Sequence, residues 1–264
     1  MLNNGLLRYL YKKGINLTYV VISFILFITV WDLAVRLSGV NEALFPSPAS
    51  AFRALLEIIG DGTLGEHVLS SMTRFAVGFI LAVTSAVIGG IIIGWFDILF
   101  KFTNPIIQLL RPISPIAWMP FIVLAFGIGD MPAIVTIFIA AFFPVLISTA
   151  VGVKNIPEIY LKVAKNFGVG KIEIFWKIVF PAIFPQITAG THLALGSAWV
   201  FLVCGEMIGT QSGLGYLIID ARNNLRCDIL AADIVVIGVI GLLLDAALKY
   251  GEAQILKKWG LQKE

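Results

Sequence analysis

The residues capable of chemistry are few, and none stands in a reactive arrangement. Cys204 and Cys227 match no metal-ligand spacing and read as unpaired, small apolar side chains. Gly168-Val169-Gly170-Lys171 superficially resembles a phosphate loop, but Lys165 stands where that motif needs glycine. Residue 172 is isoleucine rather than serine or threonine, and no strand precedes the segment. No nucleophile is paired with a base, and no two carboxylates share a spacing with catalytic logic. The expectation is a non-catalytic chain with no catalytic, cofactor-binding or metal-ligating residue.

What remains is polar chemistry placed inside apolar stretches, where it is expensive and marks candidate function. Thr188, His192, Leu195 and Trp199 follow at steps of three or four and share one helical face. That mixed face suits a pathway wall and a helix contact equally, so His192 reads either as a pathway-lining group or as a hydrogen-bonded packing histidine. Glu206 precedes the Gly213–Gly215 turn and then Arg222 and Arg226. It reads as half of an ion pair closing one mouth, or as a substrate contact. Arg74 and Arg111 have the planar donor fork that suits oxyanions, although Arg74 equally suits snorkelling to headgroups. Asp32 and Arg36, four apart, are expected to pair with each other.

The elements that position these residues follow from composition. Of 264 residues, 59% are hydrophobic and 13% charged, with a mean hydropathy of +0.95. Soluble domains carry about 25% charged residues. A membrane span takes roughly 20 apolar residues, so the expectation is an all-α polytopic membrane protein: one transmembrane domain over residues 1–264, with no soluble domain left over. The net charge of +3 is too small to imply nucleic acid. The basic start, MLNNGLLRYLYKKG, leads into a long apolar stretch without a small-residue cleavage pattern, and reads as an uncleaved first helix.

Six spans are expected, near Leu17–Leu37, His67–Phe96, Asn104–Phe126, Pro132–Val153, Pro181–Ile208 and Ile229–Tyr250. Ser47-Pro48 opens a short helix that Gly60 ends, and its apolar period (Phe52, Leu55, Leu56, Ile59) places it on the membrane surface. Pro105, Pro112, Pro115 and Pro120 interrupt the third span, which therefore has to pack in the interior or line a pathway. With six spans and a cytoplasmic N-terminus, 14 of the 19 Lys and Arg fall on the cytoplasmic side. The outer side keeps Arg36, Arg53, Arg74, Arg222 and Arg226. Every lysine is then inside, so both termini and the 154–181 loop are cytoplasmic, and Arg111 lies toward the cytoplasm.

That loop reads KNIPEIYLKVAKNFGVGKIEIFWKIVFP. Ile159, Tyr160, Val163, Ala164 and Phe167 recur at helical spacing, with Glu158, Lys162, Lys165 and Asn166 on the other face. Gly168 breaks the helix, Lys171–Ile178 restarts it, and Pro181 begins the fifth span. Two short helices about a glycine make a projecting knob, with Ala164 and Gly168 keeping its surface close to the backbone. It suits clasping by another protein, or resting on lipid headgroups.

The spacing from Ala164 through Gly168 and Ile178 to Phe180-Pro181 resembles the loop motif of permease subunits of ATP-binding-cassette (ABC) importers. The motif departs here at Lys162 (usually Glu), Val163 (usually Ala) and Phe180 (usually Leu). The missing Glu bears on any salt bridge to the ATPase, not on the shape of the knob. LFPSP (44–48), SSMTRFAVGF (70–79), RPISPIAWMPFIVLAFGIG (111–129), FPVLISTAVGV (143–153) and EMIGTQSGLGYLI (206–218) are similar to the subfamily importing nitrate, taurine, alkanesulfonates and bicarbonate. The resemblance implies a type I importer permease fold in the plasma (inner) membrane of a prokaryote, forming the conduit for a small solute, expected to be an anion. It implies two ATPase subunits that bind ATP and magnesium and dock on the loop through Ile159, Tyr160, Lys162, Val163, Ala164, Phe167, Gly168, Ile178 and Pro181. It also implies an extracytoplasmic solute-binding protein and a second permease copy. Candidate pathway or gate residues are Arg111, Pro115, Thr188, His192, Trp199 and Glu206. The rival reading is an ion-coupled secondary transporter. That class is expected to show paired repeats and midplane carboxylates, whereas Asp32, Glu206, Asp233 and Asp245 fall toward span ends.

Overall fold

The computed structural model describes residues 3–259, with side chains for all but 3–17, 165 and 171. The side chains of Arg8, Lys12, Lys13, Lys165, Lys171 and Lys263, which entered the charge count, lie outside the described ones. Every described element is helical. Five helices are long and apolar enough to cross a membrane, and a sixth crossing arises if a sharply bent pair counts as one.

Helix α1 (Asn3–Ser38) carries an apolar stretch, Thr18–Ser38, of which no residue in the most apolar window is buried. Toward its end Val35 is buried and the Trp31 indole donates to the Pro46 carbonyl at 3.1 Å. The Asp32–Arg36 pair forms as expected, at 2.7 Å. Helix α2 (Pro48–Gly60) starts at the expected Ser47 cap, with proline in the first turn. It is two-faced: Ala51, Ala54 and Ile58 are buried, while Phe52, Leu56 and Ile59 are exposed.

The core is made of α3 (Thr63–Trp95), α6 (Asp130–Lys154) and α9 (Phe180–Gly209), with α11 (Cys227–Lys258) against them. Close approach of α3 to α6 rests on a four-residue period of small side chains, Gly78, Ala82, Ala86, Gly90 and Gly94. A Cβ at Gly94 would fall 2.6 Å from the Ala150 carbonyl, so the two backbones touch there. Of the glycines expected to allow close approach in the fifth span, Gly190 does so against Ser148. Gly196 does not; it faces open space.

The expected third span is not one straight helix. Helix α4 (Asp97–Leu110) and the Pro115–Phe126 segment meet at 86°. That segment is a short 3-10 turn, Pro115–Trp118, followed by α5 (Met119–Phe126). Pro105 is accommodated inside α4. The break comes at Pro112 and Pro115, which remove two donors from one turn, and Ser114, before Pro115, is extended at ψ 132° while Arg111 stays helical.

The fifth span also differs from expectation. The short helix α8 (Lys171–Ile174) does not end before it but passes through a π-helical turn, Phe175–Val179, into α9. A proline at position 181 would clash with the carbonyl four residues back, and the wider π turn removes that conflict. The helix that holds the fifth span is continuous from Ile172 to Gly209.

Candidate functional site

Three sites emerge: the loop at one end of the bundle, a charged cluster at the other, and a cleft between them. The loop begins where α6 ends. Lys154 is held there by Asp97 at 2.9 Å and lies over the Phe100 ring. Helix α7 (Glu158–Asn166) follows, and Gly168 at φ +72° ends it. The Val169 amide returns to the Ala164 carbonyl at 3.1 Å, closing a six-residue glycine cap.

The loop's apolar period splits in two. Ala164 is 5% exposed and belongs to an apolar cluster with Val153, Ile174, Val179, Ile183 and Ile187. It is thus not on the outer surface of the knob, as expected from its small size, but is the contact that seats α7 on the ends of α6 and α9. Ile159, Tyr160, Val163, Phe167 and Ile172 form the exposed face, Phe167 being 83% exposed. Lys162 is exposed and pairs with Glu158 at 2.6 Å. That hydrogen bond holds the Glu158 carboxyl below its ordinary range. Glu173 and Lys177 repeat the arrangement. Ile178 and Pro181 are half-buried at the root of α9, where Phe180 and Phe184 meet Trp259 edge-on.

At the opposite end, Glu206 is fully buried and its partner is Arg74, at 2.7 Å. The expected pairing with Arg222 or Arg226 does not occur. The Arg226 guanidinium instead joins Glu57 to Asp228, and their carboxylates raise its pKa. Arg222 reaches only Asn223 among the described residues. Sequence proximity suggested the wrong arginines, because α3 crosses beside α9. Arg74 is itself 5% exposed, so it neither snorkels nor faces solvent. Its guanidinium also donates to Asp130, to the Ser212 hydroxyl and to the Ser212 carbonyl, each within 2.7 Å.

Glu206 completes its shell with the Ser71 hydroxyl and the Gly215 amide, at 2.7 and 3.0 Å. Ser71 in turn accepts from the Leu214 amide, and His67 from the Gly213 amide. The 210–215 turn is therefore folded onto a carboxylate. A Cβ at Gly213 would fall 2.3 Å from Glu206 Oε1, and one at Gly215 would fall 2.2 Å from the Val203 carbonyl. Helix α10 (Leu214–Asn223) starts from this turn. Ser71, Asp130 and Ser212 were missed from sequence; Ser71 could have been found from its place one helical turn before Arg74. Asp233 was read only as a span-end carboxylate. It is fully buried, and neither oxygen has a partner among the described residues.

The mixed face of α9 turns toward α11. His192 Nε2 lies 2.8 Å from Glu252, and the Trp199 indole donates to the Ile237 carbonyl at 3.1 Å. Trp199 also meets Phe75 edge-on, and the Thr188 hydroxyl is spent on the Pro185 carbonyl.

Arg111 and Pro115 lie elsewhere. They line a cleft of about 180 Å3 between the bent pair, α6 and α9, whose other walls include Phe143, Pro144, Ser197 and Phe201. No group of three or more His, Cys, Asp and Glu that could hold a metal occurs among the described residues.

A family model described as the inner membrane component of binding-protein-dependent transport systems matches residues 86–257. A putative ABC transporter permease protein of Methanocaldococcus jannaschii is 37% identical over 231 residues, covering 85% of this chain and 86% of the relative. The taurine transport system permease protein of Escherichia coli is 33% identical, covering 84% and 82%. A nitrate import permease protein of Leptolyngbya laminosa is 33% identical, covering 89% and 86%.

Proposed function

The chain belongs to the family of binding-protein-dependent transport system inner membrane components, the permeases of ABC transporters, and from that premise we propose that it is the conduit subunit of an ATP-driven importer of a small anion. The observation that carries the coupling part is the two-sided loop. Helix α7 offers Ile159, Tyr160, Val163 and Phe167 outward, while Ala164 and the Gly168 cap fasten it to the core. An exposed apolar face on a fixed short helix is what a groove in another protein can grip.

In this reading two copies of the chain form the pore, and each loop seats an ATPase that binds ATP and magnesium. A solute-binding protein delivers the anion at the Glu206 end. Both chain termini and the loop then face the cytoplasm, following the lysine distribution, in a prokaryotic plasma membrane. Closure of the ATPases moves α7, and the cluster of Val153, Ile174, Val179 and Ile183 passes that motion to α6 and α9 together. The buried Arg74–Glu206 pair ties α3 to α9 at the far end. These three helices therefore move as one body, since packed interiors transmit displacement rather than absorb it. The chain's own residues perform no bond chemistry. The anion follows from the relatives named for taurine and nitrate.

One observation favours the ion-coupled alternative: Asp233 is a buried carboxylate free of partners among the described residues. Reconstitution separates the two. Uptake that requires ATP and a co-purified ATPase supports the importer; uptake driven by an ion gradient without ATP supports the alternative.

A further inference from the structure

Arg111 stands at the break of the bent pair, and its guanidinium has no hydrogen-bond or ion-pair partner among the described residues. Its depth differs from the sequence expectation. The cleft it lines is walled on α6 by Ile139 to Pro144. Ile139 lies nine residues past Asp130 and Pro144 ten before Lys154. At 1.5 Å per residue, each is about 14 Å from its end of the helix. Arg111 therefore sits near the middle of the membrane-crossing length rather than toward one face. A charge at that depth persists only where water or a counter-charge reaches it.

The rest of the cleft does not supply one. Pro115, Phe143 and Phe201 are apolar, and Ser197 has its single proton directed at the Ala140, Leu193 and Ala194 carbonyls. The site thus offers the donors of one guanidinium, apolar walls and no carboxylate. Cations are repelled, and a polyhydroxylated solute would leave most of its hydroxyls unpaired. A nitrate, bicarbonate or sulfonate group matches the planar fork, with any short alkyl remainder against the phenylalanines. We infer that Arg111 selects the transported oxyanion, holding it at mid-membrane between the end of α4, α6 and α9. The inference rests on the reading of the chain as a conduit.

The test uses the whole transporter in proteoliposomes, with Cys204 and Cys227 replaced by Ser and Ser197→Cys as reporter. Ile113→Cys, from the same cleft, serves if that variant does not assemble. Thiol modification by an anionic sulfonatoethyl methanethiosulfonate is compared with a trimethylammonium analogue, each corrected for its rate with a free thiol. The expected anionic preference is on the order of tenfold; it disappears in Arg111→Ala and survives in Arg111→Lys. A preference unchanged by Arg111→Ala, or a thiol unreactive to both reagents, overturns the inference. Uptake of nitrate, bicarbonate, taurine and methanesulfonate supplies the second readout. Arg111→Ala is expected to lower uptake on the order of tenfold relative to Arg111→Lys, and wild type moving none of the four overturns the oxyanion class. Loss of ATP dependence would contradict the importer reading while leaving the thiol preference intact, so the two failures are distinguishable.

Discussion

Arg74 of α3 and Glu206 of α9 are 2.7 Å apart, with both side chains withdrawn from the surface of the chain. Three donors, the Arg74 guanidinium, the Ser71 hydroxyl and the Gly215 amide, converge on this one carboxylate. Removing Arg74 leaves the Glu206 charge buried without a counter-charge, which costs about 3–5 kcal/mol; removing Glu206 leaves Arg74 only the largely exposed Asp130 as counter-charge and costs a part of that. Glu206→Ala should therefore unfold at distinctly lower denaturant than wild type, in detergent, by circular dichroism. Replacing both (Arg74→Met with Glu206→Leu) should cost less than the sum of the single changes. A Glu206→Ala protein as stable as wild type would show that the pair is not structural.

Glycine substitutions should separate by position. Gly213→Ala and Gly215→Ala place a methyl group within 2.3 Å of Glu206 or of the Val203 carbonyl, and Gly213 also has φ +106°. Both variants are expected to lose folded protein in size-exclusion chromatography. Gly196→Ala meets open space and should elute as wild type. Equal behaviour of the three would contradict the close approach.

Asp233 is buried without a partner among the described residues, a position that costs free energy unless the group is paired. Asp233→Asn should unfold no earlier than wild type and should keep ATP-driven uptake. Uptake abolished in a fully folded Asp233→Asn protein would instead favour ion coupling.

Around the loop, the side of α7 decides the outcome. Ala164→Leu adds bulk inside a packed cluster, where overpacking costs about 1–3 kcal/mol, and should lower the thermal midpoint. Glu158→Gln removes an exposed pair with Lys162 and should change stability immeasurably at neutral pH. Because the Glu158 carboxyl is held below its ordinary range, whatever the pair contributes is present above that range. It is lost as pH falls through the depressed value, so wild type and Glu158→Gln should coincide in acid. A large gap between them in acid would contradict this assignment.

The long spans were legible because apolar length and charge scarcity are local properties of the chain. The α2 cap, the Gly168 break and the Asp32–Arg36 pair were legible for the same reason: each is closed within a few residues. Partners across helices were not. Glu206 was assigned to Arg222 or Arg226, which follow it in the chain, whereas its partner Arg74 precedes it by 132 residues. The face of Ala164 was misassigned because helical period groups residues by angle and cannot say which flank meets the core. The bend at Pro112 was visible as a disruption, but its 86° angle, which carries Arg111 to mid-depth, depends on packing against α6.

Co-purification of an ATPase with the loop variant Ile159→Asp/Phe167→Asp tests the central claim most directly. Both side chains are exposed and outside the Ala164 cluster, so the variant should fold and elute like wild type. Wild type is expected to retain its ATPase through purification and to accumulate anion only with ATP, and the variant to do neither. A variant that keeps its ATPase and its ATP-driven uptake would contradict the assignment of this face of α7 as the coupling surface.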